Sequence, residues 1–228
     1  MSTSRLQINE VFHSVQGEST RAGLPCVFIR LRGCPLRCHY CDTEYAFREG
    51  EGRSIDELVA QVEEIGCPLV EVTGGEPLIQ PAVHPLMSRL CDLGFTVIIE
   101  TAGAHDISAC DPRVIRILDL KTPGSGESDR ILWKNLDHLR PDDEIKFVIT
   151  DRADYDWMKQ ILDKHQLIQR VACVLVSPVF EQAKGRDIKG CRALDPSELA
   201  AWILEDRLQV RFQLQLHKFI WDPQTRGV

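Results

Sequence analysis

Between Pro25 and Leu31 the side chains alternate. Val27, Ile29 and Leu31 fall on one face and Phe28 and Arg30 on the other, the period-two signature of a strand. A looser alternation over residues 7–15 runs into Gln16-Gly17-Glu18 and predicts a strand ending in a glycine turn. The period then lengthens: Ser54 and Glu57 form a capping box ahead of a helical stripe of Ile55, Leu58, Val59, Val62 and Ile65, which stops at Gly66. Further strands are expected at 69–73, 95–100, 114–120, 144–150, 171–176 and 210–216. Helices should separate them at 85–93, near 129–139, after Asp151, and from Asp195-Pro196 with Glu198 in the first turn. Strands alternating with helices imply right-handed crossovers and a parallel sheet. Six or seven strands fall short of the eight of a closed barrel. The pattern therefore predicts an α/β fold, a single domain over 1–228 built as an incomplete, splayed parallel β/α barrel. An open doubly wound sheet is the alternative, although no Gly-x-Gly-x-x-Gly follows any strand.

In either architecture ligands bind at the carboxyl ends of the strands. The unusual polar residues gather there: Arg32 and the loop after it, Thr73 to Glu76, Glu100, Asp119 to Lys121, Ser177, and Gln215 to Lys218. Each alone reads as a helix cap or a rim charge; six such places together predict a site. A net charge of -7 turns that site toward a small molecule and away from nucleic acid. The first ten residues lack a signal-peptide pattern, and no apolar run approaches the ~18 residues of a membrane span. A cytoplasmic protein is expected. Nine cysteines, an odd number, then favour thiols and a metal centre over disulfides.

Three of the nine, Cys34, Cys38 and Cys41, stand close enough in sequence to close on one centre. A four-iron, four-sulfur (4Fe-4S) cluster normally takes a cysteine at each iron, so three leave one iron open to a ligand. A structural zinc site would need a fourth ligand, for which only Cys26 and His39 are local; buried free thiols are the plainer alternative. Downstream, Thr73-Gly74-Gly75-Glu76-Pro77 bares its backbone through two glycines beside a carboxylate that could accept from an ammonium group. Taken alone it reads as a turn.

The cysteine spacing, with Tyr40 before the third, resembles the signature of the radical S-adenosylmethionine superfamily, in which the open iron is chelated by the amino and carboxylate groups of S-adenosylmethionine. Residues 73–77 resemble the segment that holds that amino group. Val15-Gln16-Gly17-Glu18, Phe28-Ile29-Arg30, Cys41-Asp42-Thr43, Glu100-Thr101 and Gln215-Leu216-His217-Lys218 further resemble the 7-carboxy-7-deazaguanine synthase family, over nearly the whole chain. That resemblance implies a 4Fe-4S cluster on Cys34, Cys38 and Cys41, and magnesium beside Thr43, where Asp42 adds negative charge. It implies S-adenosylmethionine held by Tyr40, Cys41, Asp42, Gly74, Gly75, Glu76, Glu100, Asp119, Leu120, Lys121 and Ser177. The pterin substrate would meet Val15, Gln16, Gly17, Glu18, Arg30, Thr73, His217 and Val228. Arg30 suits a substrate carboxylate through its planar fork, or a salt bridge within the barrel.

The implied reaction is rearrangement of 6-carboxy-5,6,7,8-tetrahydropterin to 7-carboxy-7-deazaguanine with loss of ammonia, begun by a 5'-deoxyadenosyl radical. A reducing partner such as flavodoxin and a homodimer are implied with it. A glycyl-radical activating enzyme is the rival within the superfamily, and a zinc-stabilised binding module the rival outside it. Two positions depart from the family pattern. Ser19 stands where glycine is common, and Ala102 where a polar residue is common, leaving a main-chain contact at position 102.

Overall fold

The computed structural model describes residues 5–228; the first four residues of the expected single domain, and of the stretch read as lacking an export signal, lie outside the described residues. Strand β1 (Arg5–Val15) turns back as β2 (Pro25–Leu31), and a short β3 (Glu51–Ser54) adds to the other side of β1; both pairings are antiparallel. From β2 onward the sheet is parallel, through β4 (Leu69–Gly74), β5 (Thr96–Thr101), β6 (Ile115–Asp119), β7 (Glu144–Ile149), β8 (Cys173–Pro178) and β9 (Arg211–Phe212). The sheet starts at β3 and ends at β9 without closing. Seven parallel strands thus form the splayed partial barrel that the pattern predicts, with two antiparallel strands on one edge. The sequence reading missed β3 because Glu51-Gly52-Arg53-Ser54 carries no apolar alternation.

Period two divides each parallel strand between two environments. On the outer face Val27, Ile29, Val70, Val72, Val97, Ile99, Leu118, Ile145, Phe147 and Ile149 are buried in one core with helix residues such as Leu58, Leu86, Met87 and Met158. Burying each is worth about 1.5–3 kcal/mol relative to exposure. The helices that cover this face begin where expected. In α1 (Ile55–Ile65) the Ser54 hydroxyl accepts from Glu57 N while the Glu57 carboxylate accepts from Ser54 N. Helix α2 (Val83–Asp92) is followed by α3 (Arg152–His165), capped by Asp151, and α4 (Pro196–Glu205), capped by Asp195 with proline in the first turn. A single turn, α5 (His217–Ile220), closes the series. Among the described residues no helix is long and apolar enough to cross a membrane.

Two expected elements are different. The helix near 129–139 is instead two short 3-10 turns, Ser128–Arg130 and Trp133–His138. Asn135 pins this segment to the connection after β5: its Nδ2 donates to Gly103 O and His105 O, and its Oδ1 accepts from Ile107 N. The strand over 210–216 pairs only at Arg211 and Phe212. Beyond them the chain leaves the sheet and packs on the loop after β1: Gln213 Oε1 accepts from Ser19 N at 2.9 Å and Leu216 N donates to Gly17 O at 3.0 Å.

Candidate active site

The inner face of the same strands mixes apolar positions with polar ones. Arg30, Glu71, Thr73, Glu100, Asp119 and Lys146 line a cavity of about 370 Å³, together with the loops that follow the strands' carboxyl ends. That size suits a small-molecule site. Lys146 anchors the floor, its Nζ 2.6 Å from Glu18 Oε2 and 2.8 Å from Glu100 Oε1. Burial favours losing its proton, but the two carboxylates hold its pKa well above the ordinary value. Glu18 also accepts from Gln215 Nε2 at 2.7 Å and Gln213 Nε2 at 3.1 Å.

Glu71 is different. Gln16 Nε2 donates to its Oε2, while its Oε1 has no protein donor among the described residues. Burial, with Glu100 facing it, pushes the Glu71 carboxyl up to about 8. The floor therefore combines a lysine held between two carboxylates, of which burial raises the pKa of Glu100 while Glu18 is lowered, with a carboxyl at Glu71 that is raised as well. Gln16 lines the cavity too but is nearly sealed, its Oε1 accepting from Glu18 N.

The cysteine loop forms the opposite wall. Cys34, Cys38 and Cys41 all line the cavity, and burial pushes the Cys34 thiol to about 11 and the Cys38 thiol to about 12. Iron ligation would displace those protons. Among the described residues no three His, Cys, Asp or Glu side chains converge on a single ion. A four-iron cluster needs no such convergence, since each thiolate takes a different iron. The strand edge packs tightly on this loop: Glu76 N donates to Gly33 O at 2.8 Å, and a Cβ on Gly75 would collide with Gly33 O and with Cys34 Cβ. Any side chain at 75 would push the loop away.

Gly74, Gly75, Asp119, Tyr40 and Lys121 also line the cavity. Lys121 Nζ lies 2.6 Å from Asp119 Oδ2, while Asp119 Oδ1 and the Tyr40 hydroxyl are buried without partners among the described residues. Orphaned groups beside a bare backbone edge fit a ligand rich in ammonium and hydroxyl donors, as S-adenosylmethionine is. Glu76 does not reach this space. Its carboxylate is fully buried and accepts from Thr101 Oγ1, Ala102 N and Leu78 N, so it ties β4 to β5, and the main-chain N–H at 102 is spent on it. Leu120, just beyond β6, is buried in the hydrophobic core and does not line the cavity. Ser177, level with Val148 on β7, is buried outside the cavity lining.

Thr43 lines the cavity with its Oγ1 3.7 Å from Cys41 Sγ. The charge of Asp42 is offset by Lys218, 2.7 Å away, which holds its pKa below the carboxylate range despite burial and ties the cysteine loop to α5. Val15, Gly17, His217 and Val228 line the remaining side; a Cβ on Gly17 would strike His217 Nδ1. Arg30 makes the salt bridge within the barrel and also lines the cavity. Its Nε donates to Glu10 Oε1 at 2.8 Å, and among the described residues its two terminal nitrogens have no protein acceptor.

Sequence reasoning missed Glu71 and Lys146. Each is a charge flanked by buried apolar residues, in Val70-Glu71-Val72 and Ile145-Lys146-Phe147, and that interruption inside a parallel strand is the signal that could have found them.

Residues 28–121 match the Radical SAM superfamily. A 7-carboxy-7-deazaguanine synthase of Koribacter versatilis is 48% identical over 98% of this chain and 100% of its own length. Its counterpart in Chlorobaculum tepidum is 43% identical over 98% of this chain and 97% of its own. Among solved structures, QueE from Escherichia coli matches with a TM-score of 0.73 and 25% identity, over 93% of this chain and 95% of that one. Streptococcus suis SuiB bound to S-adenosylmethionine, 15% identical with a TM-score of 0.58 over 79% of this chain and 47% of that one, shares the fold. With near-complete coverage at this identity, and three cysteines on one wall of the barrel, the chain belongs to the 7-carboxy-7-deazaguanine synthase family of the radical S-adenosylmethionine superfamily.

Proposed function

We propose that this chain converts 6-carboxy-5,6,7,8-tetrahydropterin to 7-carboxy-7-deazaguanine with loss of ammonia, a lyase step of queuosine and 7-deazapurine biosynthesis. The observation that carries the reading is one cavity in which three thiols, a bare glycine edge and the unpaired fork of Arg30 meet. When bound, the 4Fe-4S cluster and S-adenosylmethionine supply the electron and the hydrogen-abstracting radical. The chain's own residues bind and orient. Arg30 takes the substrate carboxylate on its free fork, and Glu71 Oε1 meets the polar edge of the pterin, held in place by Gln16. Lys146 holds Glu18 and Glu100 in place, and Asp119 Oδ1 with the Tyr40 hydroxyl faces the cofactor.

Magnesium joins through the Thr43 hydroxyl, substrate oxygens and water. Because Lys218 offsets Asp42, the protein alone offers this ion little, so it binds with substrate. Flavodoxin is the proposed reductant. The nine free cysteines support a reducing cytoplasm, and Phe219 and Ile220, both more than half exposed, support a homodimer.

Anaerobic reconstitution tests the reading. A brown protein with about four iron and four sulfide per chain is expected, which consumes the tetrahydropterin and releases ammonia in step with product. A colourless zinc protein, or pterin left intact by the reduced enzyme, overturns it.

A further inference from the structure

The proposed reaction draws an electron from outside the chain, and the surface over the cysteine loop differs in charge from the rest of the protein. The whole sequence is at -7. Between residues 181 and 192, however, Lys184, Arg186, Lys189 and Arg192 stand against Glu181 and Asp187, so four cations against two acids leave a balance of +2. All four cations are exposed, and among the described residues none has an acidic partner, since Asp187 is taken by Arg48.

This loop is built onto the cysteine loop. Gly190 N donates to His39 O at 2.9 Å, Asp187 N donates to the Glu44 carboxylate, and Ile188 is buried. Gln182 and Cys191 bridge its two ends. His39 sits directly after Cys38, so a donor seated on these cations is one hydrogen bond and one residue from a cluster ligand. Cys38 itself is buried, so an electron carrier must dock on the covering protein rather than touch the cluster.

We infer that Lys184, Arg186, Lys189 and Arg192 form the docking surface for a small acidic one-electron carrier protein, an inference that rests on the proposed radical reaction. Unpaired surface cations above an electron entry point attract and orient an acidic partner, and their effect falls with salt. The rest of the surface, net acidic, repels it.

The test measures binding of flavodoxin, an acidic flavoprotein, to the anaerobically reconstituted full chain. Turnover is driven in parallel by reduced methyl viologen, a small cation that needs no docking site. Combining Lys184→Glu, Arg186→Glu, Lys189→Glu and Arg192→Glu should weaken flavodoxin binding about tenfold or more at low salt and leave the viologen-driven rate unchanged. Rising ionic strength should erase the difference. Unchanged flavodoxin binding in the reversed chain overturns the inference. Should the reversal also lower the viologen-driven rate, the milder Lys189→Gln, Arg192→Gln chain and a salt series on the unaltered protein decide, and salt-independent flavodoxin binding overturns docking here. Binding that follows these four cations, in a chain that leaves the tetrahydropterin intact with either reductant, keeps the docking surface and sinks the proposed reaction.

Discussion

The two faces of β7 obey different rules. Phe147, on the outer face, is fully buried with its ring edge against Trp157 of α3, centroids 6.3 Å apart. One residue earlier Lys146 is equally enclosed on the inner face and persists only because Glu18 and Glu100 stand within 3 Å. The outer face stabilises through apolar area, which tolerates another hydrophobic side chain of similar volume at a cost under about 1.5 kcal/mol. The inner face stabilises through pairing across strands, and deleting one charge strands the others in a low-dielectric interior. Lys146→Met should therefore cost about 3–5 kcal/mol in urea unfolding and also lose S-adenosylmethionine binding, since Glu100 is left without its cation. Phe147→Met should cost less and leave cofactor binding intact. A Phe147→Met chain that lost the cofactor as fully as Lys146→Met would end the distinction between the faces.

The same contrast explains what could be read in advance. The outer face carries the hydrophobic period, so the strands from residue 69 to 176 and helices α1, α3 and α4 were legible from the spacing of Val, Ile and Leu and from the caps at Ser54, Asp151 and Asp195. Position was legible too: the cysteine loop, Gly74 and Gly75, and Asp119 with Lys121 come after or at strand ends and do line the cavity. Partnership was not. Nothing local says that Lys146 meets Glu18, 128 positions away by number, or that Asp42 is neutralised by Lys218. The partners of Glu76 were illegible for the same reason, because only the fold brings Thr101 and Ala102 to its carboxylate.

Glu71 is an inner-face carboxyl that pairs with no cation among the described residues, and its titration sharpens the comparison. Its folded pKa, about 8, lies above the ordinary carboxylate value. Between those values the folded protein holds a proton that the unfolded chain has released. Stability is thus fully present at low pH and falls as pH rises through the folded pKa, by at most about 1.4 kcal/mol per pH unit for one proton. Glu71→Gln keeps the shape and removes that proton, so unfolding free energy should decline less steeply between pH 6 and 8 (roughly) than in the unaltered chain. An identical pH slope in both would show that Glu71 holds no extra proton in the folded chain.

Arg30 belongs to both faces of the comparison, being paired on one side and free on the other. Arg30→Lys keeps the charge beside Glu10 but loses the planar fork. The KM for the tetrahydropterin should rise about tenfold, a loss of about 1.4 kcal/mol, while S-adenosylmethionine binding and unfolding midpoint change little. Equal weakening of both ligands would make Arg30 a barrel strut.

The smallest expected effect falls at the loop that plugs the other end of the barrel, where neither face sets the rule and backbone geometry does. Ser19 is fully buried at φ 71°, in the left-handed region, with its N–H donating to Gln213 Oε1 at 2.9 Å and its Oγ accepting from Arg21 N at 3.1 Å. That conformation gives a physical reason for the glycine common at this position in the family pattern: a side chain there costs roughly 1–2 kcal/mol of strain. Serine offsets part of the cost with its hydroxyl, worth about 1 kcal/mol as a hydrogen bond, and by losing less backbone entropy than glycine on folding. Ser19→Gly should accordingly shift stability by less than about 1 kcal/mol in either direction. Ser19→Ala keeps the strain and loses the acceptor, so alanine should be the less stable of the two by about 1 kcal/mol, the reverse of their order inside a helix or strand. Thermal unfolding of both variants reads that difference directly. Alanine at least as stable as glycine would mean that the left-handed backbone is not what favours glycine at this position, leaving side-chain volume beside Gln213 as the constraint.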